Sequence, residues 1–310
     1  MSNSFLETIF TKLDGYYSAG DNDGAENYLK AMLSAFEINE ETERPEYISV
    51  LNELAGFYRG VSRYAESAAA FSKALELLEK TNAADGTAYA NILMNLAGLF
   101  RLMGNTEESL DAFSAAKNIL EKADPRDEYA YASTLNNLSL AYSQKCDYEN
   151  AKKYALEAFN IMKSGVGGDH EIATSLNNLA TLAVRSNNID EAEKYVTQAL
   201  AIYDKMPDEN VHHAAALATL GSVRFARSDP DAALTAYSKS LILTEKFFGK
   251  NIEYAYTERS LARIYESLGD YQQALSHLAV GYEIMLGIFG ESHERAEEYK
   301  IEMLRLESRL

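Results

Sequence analysis

The chain has 310 residues, with 29 lysines and arginines against 47 aspartates and glutamates, and a formal net charge of −18. That balance argues against general nucleic-acid binding, which draws its affinity from neutralised phosphates, and against docking on an anionic membrane surface. One cysteine, Cys146, excludes an intramolecular disulfide framework and a multi-thiolate metal site and fits a reducing compartment.

The first residues, Met1 to Glu7, carry no basic segment followed by an apolar core, so no signal peptide is expected. Apolar runs stay far below the ~20 residues of a membrane span, and a cytoplasmic protein is the expectation. Four prolines and 17 glycines are few for a sheet-rich chain, and the abundance of good helix formers favours helix.

A repeat organises the sequence. Asn52-Glu53-Leu54-Ala55, Asn95-Leu96-Ala97, Asn137-Leu138-Ser139 and Asn178-Leu179-Ala180 recur at steps of 42, 42 and 41. Further steps reach Leu220-Gly221 and Leu261-Ala262, and one step backwards reaches Lys12-Leu13, a weaker match. Each unit carries two apolar runs at helical spacing, for example Leu51, Leu54, Ala55 and Tyr58, then Ser67, Phe71 and Ala74. The breaks between runs fall at Asp21, Arg63, Asn105, Asp147, Asn188, Asp229 and Asp270. Six of these seven can accept a hydrogen bond from the free amides of a helix start, and Glu108, Glu191 and Gln273 stand where a capping box would close. Pro230 follows Asp229 at the first helical position.

The fold class so read is all-α: a right-handed superhelical solenoid of seven helix–turn–helix repeats over 3–40, 46–82, 87–123, 129–165, 170–206, 211–247 and 252–289. A capping helix is expected over 292–309, since an end unit has a neighbour on one side only. The whole of 1–310 is expected to form a single domain.

The spacing and the small/aromatic pattern resemble tetratricopeptide repeats, whose usual period is about 34. Units of about 42, and the segments Gly168-Asp169-His170-Glu171-Ile172-Ala173-Thr174-Ser175-Leu176-Asn177-Asn178-Leu179 and Asp127-Glu128-Tyr129-Ala130-Tyr131-Ala132, resemble the kinesin light chain type. The sequence opens on a repeat and lacks that family's heptad coiled coil, so the expectation extends to the repeat type and not to the motor subunit.

That resemblance implies that first helices line a concave groove. Counting the marker leucine as position seven, positions two, five, nine, twelve and thirteen lie opposite the packing face. Over units two to seven, only Glu266 among these positions is acidic, although the chain average would give about four or five. Arg59, Arg101, Arg185, Arg259 and Arg263 fall there, with Asn52, Asn136 and Asn177, and Asn95, Asn137 and Asn178 lie one position on. Arginine presents a planar fork to carboxylates and phosphates, and asparagine can grip a peptide backbone from either side of a hydrogen bond. In the resembling family, asparagines at such positions look like a ladder for cargo peptides. The competing reading is that small polar residues keep a narrow face uncrowded. Glu7 and Asp14 interrupt the pattern in the first unit, and no lysine–asparagine pair four apart suggests a carboxylate clamp for chaperone tails.

No catalytic motif, metal set or cofactor loop is found. His170 and His293 recur with the repeat and read as caps, adjacent His212 and His213 diverge by about 100° on a helix, and Cys146 occupies the turn position of Gly104 and Gly269. Tyr47, Tyr89, Tyr131 and Tyr254 open successive first helices and read as inter-repeat core. The expected function is a non-enzymatic scaffold that binds an extended peptide segment of a partner, acidic or phosphorylated, in the groove. The alternative is a peptide-sensing regulator whose superhelix changes shape. No cofactor is expected, and the oligomeric state is monomer or weak homodimer.

Overall fold

A computed structural model describes residues 2–38, 44–206 and 211–310. The end expected for the first repeat, at residue 40, lies outside the described residues. Helices follow one another in pairs: α1 (Ser2–Ala19) and α2 (Asn22–Ile38), α3 (Pro45–Gly60) and α4 (Tyr64–Lys80), α5 (Thr87–Met103) and α6 (Thr106–Lys122), α7 (Glu128–Gln144) and α8 (Tyr148–Ile161). A π-type turn, Met162–Val166, closes the fourth pair at Gly165, whose φ is 104°. Then come α9 (Asp169–Arg185) and α10 (Ile189–Tyr203), α11 (Val211–Ala226) and α12 (Pro230–Phe248), α13 (Ile252–Ser267) and α14 (Tyr271–Phe289), and last α15 (Glu294–Glu307). The chain divides into two compact units, Met1–Gly167 and Gly168–Leu310.

One backbone device makes every hairpin. The residue two before each second helix has positive φ: Gly20, Ser62, Gly104, Cys146, Asn187, Ser228 and Gly269 lie between 58° and 90°. A single left-handed residue reverses the chain and lets the next amide reach back to the helix it leaves, as Asn105 N does to Phe100 O at 2.9 Å. Cys146 therefore serves as a turn residue. The next side chain starts the second helix. Asp21, Asp147, Asn188, Asp229 and Asp270 each accept from the amide three residues on, at 2.9 to 3.5 Å.

One expected cap differs, and the exception among the break residues finds other partners. Asn105 makes no side-chain cap, and Arg63, which has no acceptor to offer, instead bonds Glu66 at 2.9 Å and Glu26 at 2.7 Å. Glu191 accepts from the Asn188 side-chain amide at 2.9 Å. A box-like contact forms at Glu171, which accepts from Gly168 N at 2.9 Å. His293 caps α15, accepting from Arg295 N at 3.2 Å.

Within residues 1–167 the core is aromatic and aliphatic: fully buried Phe71 and Phe113, with Leu120, Leu135 and Leu138 packed around Phe113. Ser67 and Ser109, both fully buried, donate to Ala55 O and Ala97 O at 2.7 and 2.9 Å and bind each second helix to its first. At the same position Ala25 and Ala151, and within residues 168–310 Ala192, Ala233 and Ala274, are all fully buried. There Tyr237 packs with Ala233, Leu261 and Ile264. The helix α15 docks through Tyr299, fully buried, whose hydroxyl donates to Ala255 O at 2.8 Å. Gly281 makes room for it, because a Cβ there would strike the Tyr299 ring.

Candidate first-helix binding faces

In residues 1–167 the predicted face residues of α3, α5 and α7 bond mainly to one another. Asn95 Nδ2 donates to Asn52 Oδ1 at 3.1 Å, and Arg59 Nη1 donates to Asn95 O at 3.0 Å. Arg59 lies across α5, where a Cβ on Gly98 would sit 3.0 Å from Nη1. Burial first, and the charge of Arg101 second, pull the Arg59 pKa down to about 10, so it stays charged at neutral pH. The Gln144 amide reaches Arg101 O at 3.5 Å, and Asn137 Nδ2 donates to Ser133 O of its own helix at 3.0 Å. Asn136 is buried. Two amide oxygens on this face, Asn91 Oδ1 and Gln144 Oε1, are buried without a hydrogen-bond partner. Nearby Glu53 accepts from Tyr17 at 3.0 Å, and burial pushes both the Glu53 carboxyl and the Tyr17 hydroxyl upward.

In residues 168–310 the first helices leave an open hollow of about 340 Å³. From α9 it takes Asn177, Thr181, Val184 and Arg185, from α11 Ala215, Ala218, Thr219 and Ser222, and from α13 Glu253, Tyr256, Thr257 and Ser260. Eight of these occupy the face positions read from the sequence, Asn177 and Arg185 among them. Asn177 is 8% exposed, and its Oδ1 is buried without a hydrogen-bond partner. Asn178, half-buried on the same helix, is not among the lining residues.

Two of the expected arginines meet carboxylates of the last helix. Arg259 bonds Glu298 at 2.7 Å and Glu302 at 2.5 to 3.0 Å, both on α15, and Arg263 approaches Glu302 at 3.5 Å. These guanidinium groups tie α13 to the last helix. Arg59 is likewise an inter-helix donor before it is anything else. The sequence reading missed these roles because the carboxylates that claim them lie about one repeat further along.

It also missed Tyr237, which enters the hollow from the second helix α12. The signal was Gly221, standing where units two to five and seven have alanine or serine. A Cβ at 221 would lie 2.8 Å from the Tyr237 ring, and the glycine lets the ring lie flat so that its hydroxyl meets Ser222 Oγ at 2.8 Å.

Among the described residues no cluster of three His, Cys, Asp or Glu side chains could hold a metal, and no helix is long and apolar enough to cross a membrane. His170 and His212 meet edge to face at 4.7 Å, and His213 stacks on Tyr203 at 5.5 Å.

Paired helices, left-handed turns and a small-residue first-helix face define an all-α repeat scaffold. A family model described as tetratricopeptide repeat matches residues 46–122, 130–205 and 213–286, and a second of the same description matches 177–246. The chain belongs to the tetratricopeptide-repeat family, whose members are non-enzymatic protein–protein interaction scaffolds. None of the curated proteins matches it significantly in sequence.

Solved structures share the fold. A tetratricopeptide repeat protein from Parabacteroides merdae is 18% identical, with a TM-score of 0.55 over 97% of this chain and 98% of that one. A Rap protein complexed with Competence and Sporulation Factor is 14% identical, with a TM-score of 0.57 over 99% and 98%. The nearly identical repeats of a kinesin light chain from Podosopora anserina are 18% identical, with a TM-score of 0.50 over 66% and 98%.

Proposed function

We propose that the chain binds an extended peptide segment of a partner protein on its first-helix faces. The observation that carries this reading is the hollow over α9, α11 and α13, into which a buried, unpartnered Asn177 oxygen is built. Leaving such an acceptor unmade costs about 1–3 kcal/mol, which a ligand N–H offsets, and Ala215 and Ala218 keep the space open. In residues 1–167, Arg59, Arg101 and the amide oxygens of Asn91 and Gln144 offer the same combination, there with a preference for an acidic or phosphorylated side chain.

The test is a random peptide display library panned on the full chain, with the selected peptides titrated against Ala215→Gln, a neutral, helix-compatible plug. Affinity should fall at least about tenfold, equivalent to ~1.4 kcal/mol. Undiminished affinity in a variant that retains its melting temperature removes the hollow as the site. The likeness to a Rap protein complexed with Competence and Sporulation Factor supports a second reading, a peptide sensor. Small-angle scattering that shows compaction on adding a selected peptide would favour it.

A further inference from the structure

Seven residues that line the hollow carry a hydroxyl group, each with one proton to give. Four of those protons go to carbonyls of the wall itself. Thr219 donates to Ala215 O at 3.0 Å, Ser222 to Ala218 O at 3.2 Å, Thr257 to Glu253 O at 3.0 Å and Ser260 to Tyr256 O at 2.9 Å, each four residues back along its own helix. A carbonyl only accepts, so the direction of these bonds is fixed. Thr181 is then the donor in its 3.2 Å contact with Thr219, and Tyr237 in its 2.8 Å contact with Ser222. What these six side chains have left to offer is oxygen lone pairs. The Tyr256 phenol, whose main perturbation is burial, makes no such bond among the described residues.

Asn177 adds the unmet group. Its side chain is 8% exposed, and among the lining residues its Oδ1 is the buried side-chain atom left without a hydrogen-bond partner. The two charged lining residues, Arg185 and Glu253, are engaged within the protein, so the recognition surface is the neutral one. At about 340 Å³ the hollow lies at the small end of ligand-binding clefts, about 300–1,000 Å³, a size for side chains rather than for a folded element. A carboxamide brings two N–H donors and one acceptor, the complement of a wall with many lone pairs and one uncommitted phenol proton. A carboxylate or phosphate brings acceptors to acceptors and must also leave water without a counter-charge.

We propose that this hollow is a carboxamide pocket, which takes asparagine or glutamine side chains of the bound segment through their N–H groups and turns away acidic ones. The proposal rests on the peptide reading above and adds the class of side chain. It sets the hollow apart from the face of residues 1–167, where the arginines favour acid.

The experiment is isothermal titration of the full chain with three end-capped hexapeptides: Ala-Ser-Gln-Gln-Ser-Ala, its Met/Met analogue, which is uncharged and lacks the donors, and its Glu/Glu analogue, which replaces each amide by a carboxylate of the same shape. The glutamine peptide should bind at least about fivefold more tightly than the methionine peptide, the low end for a buried acceptor satisfied against one left unmade, and the glutamate peptide should bind no better than the methionine one. Asn177→Leu should bring the glutamine peptide to the level of the methionine peptide and change the latter little, with no fall in melting temperature, because it removes an unmet buried atom. Thr181→Val, which keeps the shape of the wall, should narrow the same difference to a smaller degree. Equal affinity for the three peptides, a preference for glutamate, or a glutamine preference untouched by both substitutions overturns the carboxamide pocket and leaves the peptide reading intact. Binding of none of the three, while library-selected peptides are still held in a manner sensitive to Ala215→Gln, does the same. Loss of that sensitivity as well removes both.

Discussion

Residues 2–167 and 168–310 are built from the same hairpin, yet their first-helix faces are finished differently. In the former, long amide and guanidinium side chains span the gap between neighbouring helices, as in Asn52 to Asn95 and Arg59 to Asn95 O. In the latter, serine and threonine turn their hydroxyls back on their own helices and, with short alanines between them, leave a hollow of about 340 Å³. Side-chain length at a few repeated positions decides whether a first helix binds its neighbour or leaves room for something else. The matching core position varies along the chain: Leu29, Phe71, Phe113 and Ala155 in the earlier repeats, then Val196, Tyr237 and Leu278 in the later ones.

The largest test of this contrast is in the cores. Phe113→Ala empties a fully buried site packed by three leucines and should cost about 3–5 kcal/mol. Val196→Ala, at the matching position, removes less volume and should cost roughly half as much or less. Urea titration with segment-resolved hydrogen exchange gives both values. Equal losses would show that the aromatic position does not set the stability of the earlier repeats.

Gly281→Ala should rank next. Its Cβ would press on the Tyr299 ring and approach Ala255 O at 3.3 Å, and overpacking of that kind costs about 1–3 kcal/mol. Amide exchange in 294–307 should quicken while exchange in α5 and α7 stays unchanged. A uniform change over the whole chain would contradict the assignment of Gly281 to the docking of α15.

Much of this architecture was legible in the sequence, for a physical reason. A fixed period forces each unit to solve the same packing problem, so Leu54, Leu96, Leu138, Leu179 and Leu261 could be aligned and all are buried. The turn acids are local signals and mostly act as local caps. The face was legible by helical geometry, which is why Asn177, Thr181 and Arg185 meet in one hollow. Partnership was not legible. Nothing at Arg259 itself reveals that Glu298 and Glu302 will claim it, or at Arg59 that a carbonyl of α5 is within reach, because those contacts join residues roughly 36 to 43 apart. The partners of Arg259 and Arg263 depended on the next helix.

Acid sharpens the same comparison. The face of residues 1–167 is joined by neutral amides and a carbonyl, whereas α15 is held to α13 by carboxylates. Burial tends to raise the Glu302 carboxyl, but the hydrogen bonds and charge of Arg259, with help from Arg263, outweigh it and leave the pKa below the ordinary 4.5. The hydrogen bond from Arg305 likewise holds Glu266 below that value. A carboxyl with a lowered folded pKa contributes stability that is fully present above its unfolded value and is lost as pH falls through the folded one. Protection of 294–307 should therefore hold from neutrality to about pH 4.5 and decline below it, while the Asn52–Asn95 contact between α3 and α5 has no carboxylate to lose. Arg259→Ala should lower protection of α15 at neutral pH and remove much of its decline in acid. Decline of α15 in step with α3 and α5, or an acid response untouched by Arg259→Ala, would show that the ion pairs do not hold the last helix.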